Sequence, residues 1–238
     1  MSKTTSETSR SSKLYIVDGD PSVNEILGGF GRSAGVAVDA YASGAEFLDR
    51  YETERPACLV LDVTSPGGSN LGVLEVIRAR RHPVGVVALG AGANVTVVVR
   101  ALRAGAMSFI EKPLDGDELI ATVVSALEHS ANIFDRDCRR ADFERRLACL
   151  TPRESEILSH LVVGKANKVV AYDLGISERT VEVHRYRLLR KMCVGSMVEL
   201  ARLAGSFDGL GTQLAGQGEH YVFLGRDQLA HRLEAVLA

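Results

Sequence analysis

The sequence predicts two folded domains of different class: a doubly wound α/β domain around a five-stranded parallel sheet, then a helical linker and an all-α four-helix domain. Three observations carry this prediction. Short apolar runs alternate with helical stretches through the first half, as strands buried on both faces of a parallel sheet must. Four helical segments, three of them opened by a capping residue, follow one another between residues 151 and 204. The charge balance also changes sign: residues 13–129 hold 10 Lys/Arg against 15 Asp/Glu, a net of −5, and residues 151–204 hold 9 against 6, a net of +3. An acidic part joined to a basic part fits a regulatory module attached to a polyanion binder.

Residues 1–12 are polar and Ser/Thr-rich and read as a lead-in. The first strand is Leu14-Tyr15-Ile16-Val17, ending in Asp18-Gly19-Asp20-Pro21. A weaker one spans Val36 to Val38, and Cys58-Leu59-Val60-Leu61 runs into Asp62. Val84 to Leu89 is next, and Met107-Ser108-Phe109-Ile110 ends in Glu111-Lys112-Pro113. Two helices between them look poorly formed. One carries Gly28, Gly29 and Gly31, each costing on the order of 1 kcal/mol in a helix interior; the other, Asn94 to Arg100, is rich in β-branched residues.

Ligands of such sheets sit outside the carboxyl ends of the strands. Asp18, Asp20, Asp62 and Lys112 all lie there. Aspartate suits turns, which accounts for any one of these residues but not for carboxylates at two strand ends and a Lys-Pro at a third.

Residues 130–149 contain no Gly or Pro and read as one helix leaving the first domain. Leu127, Ala131, Phe134, Cys138, Ala141 and Ala148 fall on a spacing that either pairs weakly with a second copy or belongs to a solvated single helix. The 150–204 domain opens with Thr151-Pro152-Arg153-Glu154, a capping box with proline at the first helical position. Ile157, Leu158, Leu161 and Val162 follow at helical spacing, and Gly164 ends that helix. Asn167 to Leu174 is a short second helix stopped at Gly175. Ser177 caps a third reaching Met192, and Ser196 a fourth reaching Ala204. A short helix, a glycine turn and a longer helix make a helix-turn-helix. The third helix sets Arg179, Arg185, Arg187, Arg190 and Lys191 outside an inner stripe of Val181, His184, Leu188 and Met192. Such a helix docks on its own domain and offers its basic side to DNA; His184 reads as packing. Residues 205–238 form an extension, Gly-rich at first, with an amphipathic helix candidate at its end.

Apolar residues make up 46% of the 238, enough for packed cores. No apolar run approaches the ~18 residues of a membrane span, so no membrane association is expected. Cys58, Cys138, Cys149 and Cys193 fall in no metal-ligand spacing, and without an export leader they are expected as reduced thiols in the cytoplasm. No nucleophile–base pair, nucleotide loop or metal cluster appears, so an enzyme is not expected.

Residues 13–129 resemble the receiver domain of FixJ/NarL-type response regulators, a flavodoxin-like fold. The resemblance rests on Tyr15-Ile-Val-Asp18, Cys58-Leu-Val-Leu-Asp62-Val, Ala101 to Ala106 and Phe109-Ile-Glu-Lys112-Pro113. Residues 150–204 resemble the LuxR/GerE-type helix-turn-helix, through Leu150-Thr-Pro-Arg-Glu, Asn167-Lys-Val-Val-Ala171 and Gly175-Ile-Ser-Glu-Arg-Thr-Val-Glu-Val-His-Arg185. The receiver resemblance implies Asp62 as phosphoacceptor, Lys112 as the phosphoryl contact, Phe109 as the switch aromatic and a sensor histidine kinase as partner. It also implies Mg²⁺ at Asp18, Asp62 and the carbonyl of Thr64, with Asp20 as the neighbouring carboxylate that could share in holding it. The helix-turn-helix resemblance implies double-stranded DNA and a homodimer. Its base-facing positions fall on Glu182, Val183 and Tyr186; Glu182 can accept from a cytosine amino group and Val183 can touch a thymine methyl. Lys168, Arg179, Thr180, Arg185, Arg187 and Arg190 complete the expected DNA surface, mainly through phosphates. The dimer contact falls on Val198, Leu200, Ala201 and Ala204.

The receiver departs from its family in two places. The second acidic position is Gly19, so Mg²⁺ is expected weakly bound or absent, and no hydroxyl lies in Ala88 to Gly90, where the family has a Thr or Ser that bonds the phosphoryl oxygen. The reading that follows is a DNA-binding transcription regulator with an atypical receiver, active without full phosphorylation chemistry. Two others stay open: an ordinary phosphorylation-switched regulator, and a pseudo-receiver interaction module with secondary DNA binding.

Overall fold

A computed structural model describes residues 12–51, 55–64, 70–92 and 94–207. The chain divides into two compact units between Asp137 and Cys138.

In the first unit the five strands are β1 (Lys13–Val17), β2 (Ala37–Ala40), β3 (Ala57–Asp62), β4 (Val84–Ala91) and β5 (Ser108–Lys112), all parallel and ordered β2-β1-β3-β4-β5. The helices between them are α1 (Pro21–Ala34), α2 (Gly44–Arg50), α3 (Leu71–Arg80) and α4 (Val95–Ala104), and α5 (Gly116–Ala148) follows β5. Side chains alternate across each strand. Tyr15, Val17, Leu59, Leu61, Val86 and Ala88 pack on one face with Phe47, Leu74 and Ala101. Leu14, Ile16, Cys58, Val60, Val87 and Leu89 pack on the other with Val23, Leu27, Leu119 and Val123. The strand order reverses at β1, which places a crevice at the carboxyl ends of β1 and β3.

Both helices that looked weak in sequence are formed. In α1, Gly31 is a packing requirement: a Cβ there would lie 2.3 Å from Val38 Cγ2 and 2.8 Å from the Val36 carbonyl oxygen. The helix touches β2 so closely that only glycine fits. For α4, Asn94 caps the first turn by accepting from Val97 N–H, and Ala101 is fully buried against the sheet. Tertiary packing outweighs the poor propensity of its valines.

Serine at 130 was not legible as structural. Its hydroxyl is fully buried, accepts from Ala57 N–H at 2.8 Å and donates to the Pro83 carbonyl. It joins α5 to the starts of β3 and β4, and satisfies groups whose burial unpaired would be costly.

The second unit begins with the end of α5 and continues through α6 (Pro152–Val162), α7 (Asn167–Asp173), α8 (Glu178–Met192) and α9 (Met197–Gly205). The Thr151 capping box is complete in both directions, and Ser177 and Ser196 cap α8 and α9. Along the linker the spaced positions divide between buried and exposed. Leu127 and Ala131 are buried, but Cys138, Ala141 and Ala148 are exposed, and the buried residue of the later turns is Phe143. Its ring packs with Leu158, Leu188, Met192 and Leu200, 5.6 Å from the Phe207 ring centre. The amphipathic helix expected near the end of the extension lies outside the described residues.

The dimer residues are also corrected. Leu200, Ala201 and Ala204 are 0%, 3% and 2% exposed, so they are core of their own unit and unavailable to a partner; Val198 alone of the four faces outward. Their i, i+1, i+4 spacing is itself an inward stripe.

Lys191 is half-buried and engaged within the unit rather than free in the basic outer row. Its ammonium lies 2.6 Å from Glu154 Oε2 and donates to the Cys149 carbonyl at 3.2 Å. Burial pushes the Glu154 carboxyl up, but the Lys191 ammonium and the Thr151 N–H and hydroxyl outweigh it and hold the group below its ordinary value. Lys191→Met would leave a buried carboxylate without its cation, though still bonded by Thr151, and is expected to destabilise this unit by about 1–2 kcal/mol at neutral pH. Because the folded pKa is lowered, the pair's contribution is present above the ordinary glutamate value and lost as pH falls through the folded value. Chemical denaturation across acid pH should therefore show wild type and variant converging, and parallel curves would contradict this assignment.

Candidate phosphoacceptor site and nucleic-acid interface

The strand ends bring Asp18, Asp62 and Lys112 together. The Lys112 ammonium lies 2.9 Å from Asp18 Oδ1, 2.9 Å from Asp18 Oδ2 and 3.2 Å from Asp62 Oδ2. Its contact with Asp18 Oδ2 is an ion pair without hydrogen-bond direction, so that buried oxygen accepts no hydrogen bond. Partial burial pushes the Asp62 carboxyl up, but two hydrogen bonds from Thr64 and the Lys112 ammonium bring it below the ordinary aspartate value. Burial likewise opposes the Lys112 charge, and its two carboxylate partners raise its pKa in spite of that.

Asp20 stands apart from this cluster. Its Oδ1 accepts from both the N–H (2.9 Å) and the hydroxyl (2.7 Å) of Ser22, capping α1, and its Oδ2 is 3.9 Å from Lys112. One oxygen of the carboxylate expected as a third metal ligand is taken up by the helix cap, and the other lies beside Lys112.

The end of β4 shows a feature the sequence did not announce. Thr64 donates its N–H (2.7 Å) and its hydroxyl (2.9 Å) to Asp62 Oδ1, and the same hydroxyl accepts from Ala91 N–H at 3.0 Å. A Cβ at Gly90 would lie 2.7 Å from Thr64 Cγ2 and 2.9 Å from Phe109 Cζ. Thr64 and the half-buried Phe109 therefore fill the space a side chain at position 90 would need.

In the second unit, α7 and α8 form the helix-turn-helix, with Gly175 in a left-handed turn at φ +63° between them. Val181, Leu188 and Met192 are buried, and His184 is half-buried among the packing side of α8. Arg179, Glu182, Val183, Tyr186, Arg187 and Arg190 are exposed, as is Lys168 on α7. The Arg190 guanidinium sits 5.9 Å from the Tyr186 ring centre. Two of the expected residues are partly engaged within the unit: Thr180 with Ser177 through their hydroxyls (2.7 Å), and half-buried Arg185 with Asn167 Oδ1 (3.4 Å). Tyr172 and Val169 on α7 are exposed too, 88% and 45%, and were not singled out in the sequence. Their signal was apolar character off the buried positions Val170 and Ala171.

A phosphoacceptor-type sheet and a basic-faced helix-turn-helix on one chain define a regulator of transcription rather than an enzyme. Comparison with known proteins agrees. Residues 14–124 match the response regulator receiver domain and residues 148–204 match the bacterial regulatory proteins of the luxR family. The transcriptional regulatory protein FixJ of Azorhizobium caulinodans is 39% identical over 191 residues, covering 80% of this chain and 90% of the relative. The C4-dicarboxylate transport transcriptional regulatory protein DctR of Rhodobacter capsulatus is 36% identical over 195 residues, covering 80% and 98%. The solved structure of the response regulator StyR superposes with a TM-score of 0.73 at 32% identity, covering 83% of this chain and all of that one. The chain belongs to the FixJ-type response regulators, two-component proteins with a receiver domain and a LuxR-type DNA-binding domain. Among the described residues no helix is long and apolar enough to cross a membrane.

Proposed function

We propose that this regulator binds specific duplex DNA through α8 without needing a phosphoryl group on Asp62. The observation that carries this is the carboxylate set. Position 19 is glycine and Asp20 gives one oxygen to the α1 cap, so two carboxylates stand at the strand ends, Asp18 and Asp62, already bridged by Lys112. An aspartyl phosphate adds about −1.5 to −2 charges beside them.

The remaining donors fit a weakly held Mg²⁺: Asp18, whose buried Oδ2 accepts no hydrogen bond, Asp62, and the Thr64 carbonyl. One or two carboxylates are a common Mg²⁺ set, and the ion when bound would offset phosphoryl charge. The test is to restore the missing ligand. A Cβ at Gly19 meets nothing within 4 Å, so Gly19→Asp fits without strain. The substitution is expected to raise Mg²⁺ affinity by about 10- to 100-fold, measured by calorimetry. Equal affinities would contradict this account of the site and favour an ordinary phosphorylation switch.

The wider assignment is a cytoplasmic protein working as a homodimer, with a sensor histidine kinase as upstream partner. Boundaries of 13–129 for the receiver, 130–149 for the linker and 150–204 for the DNA-binding domain go with it. A second copy would pair through the outer side of α9, where Val198 is exposed.

A further inference from the structure

We propose that Thr64 is a positioning residue that ties the β4–α4 segment to the unmodified Asp62 carboxylate, in place of the side-chain hydroxyl that the end of β4 lacks. This deepens the reading above and rests on it for its role in a protein that works with Asp62 unphosphorylated.

The argument is geometric. A hydroxyl has one proton to give and lone pairs to accept with. That of Thr64 donates to Asp62 Oδ1 and accepts from Ala91 N–H, so a single atom links the end of β3 to the end of β4. The link is strongest while Asp62 is a bare carboxylate, because a hydrogen bond to an ionised acceptor is roughly twice as strong as a neutral one. The space is made for it. Thr64 Cγ2 and the Phe109 ring occupy the volume of a position-90 side chain, so glycine at 90 and threonine at 64 are two halves of one arrangement. Thr64 N–H also donates to Asp62 Oδ1, which fixes the residue's backbone and leaves its hydroxyl free to reach β4.

Full-length protein in metal-free buffer tests this through the Ala91 amide, by its NMR shift and its hydrogen exchange. Thr64→Val keeps the shape and drops the hydroxyl; exchange at Ala91 should rise about 3- to 10-fold, the worth of one lost hydrogen bond. Thr64→Ser keeps the hydroxyl and should hold both shift and exchange at wild-type values. Gly90→Ala should destabilise wild type and be better tolerated beside Thr64→Ser, which removes the methyl it would strike. Unchanged exchange in Thr64→Val, serine behaving like valine, or additive effects of the position 64 and 90 substitutions would each overturn the proposal. Its failure is separate from that of the DNA-binding reading: a wild type that binds DNA only when phosphorylated would defeat that reading while leaving the Ala91 result intact.

Discussion

The Leu200→Asp variant is expected to lose the cooperative melting transition of the second unit. Leu200 is fully buried against Leu158, Leu188, Met192 and Phe143. Removing its side chain costs about 2–5 kcal/mol, and burying an unpaired carboxylate adds several more. The sum is of the order of a whole domain's stability, about 5–15 kcal/mol. Val198→Asp, two residues earlier in sequence, should stay within about 0.5 kcal/mol of wild type because Val198 is 37% exposed. Circular dichroism melts of the two variants separate these outcomes. A folded Leu200→Asp protein would contradict the packing of α9. Sedimentation of Val198→Asp then reads the proposed dimer: weakened self-association is expected, and an unchanged dimer would place the contact elsewhere.

The second large effect concerns DNA. Arg187 and Arg179 are exposed on α8 and assigned to phosphates, whereas Glu182 is assigned to a base edge. Arg187→Ala should weaken binding to all sequences alike and lower the slope of log K against log salt by about 1. The double Arg179→Ala/Arg187→Ala variant should lower it by about 2. Glu182→Ala should leave the slope in place and cost about 1–3 kcal/mol of discrimination at one base pair. Fluorescence anisotropy over a salt series, with matched and mismatched duplexes, distinguishes the two kinds of contact. A Glu182→Ala protein that lost affinity uniformly would move that residue from reading bases to positioning the helix.

The parts of this molecule legible in sequence are those written locally. Three strands of the sheet are short apolar runs closed by polar residues, so the sequence alone places Asp18, Asp62 and Lys112 on one rim. The caps Thr151, Ser177 and Ser196 likewise announce their helices, because a cap bonds within its own first turn. What escaped depends on which segments approach each other in space. In sequence Thr64 enters only through its carbonyl, and its hydroxyl's reach to Ala91 exists only because β3 and β4 end side by side. Gly31 looked like a helix defect until β2 lay against it. Phe143 was hidden in a charged stretch whose spacing drew attention to Cys138 and Ala141 instead. Resemblance alone points Leu200, Ala201 and Ala204 at a partner, whereas their spacing marks a buried stripe. The cap formed by Asp20 is local too, with one oxygen at the Pro21-Ser22 helix start, but the approach of its other oxygen to Lys112 depends on β5.

The central claim is that α8 reads DNA without phosphate on Asp62. The direct measurement is the affinity of full-length wild type and of Asp62→Asn, both without phosphodonor, for duplexes selected from random sequence at one fixed salt concentration. The account predicts specific, salt-dependent binding of equal strength for the two proteins. Binding that appears only after wild type is treated with acetyl phosphate, and never in Asp62→Asn, would contradict it.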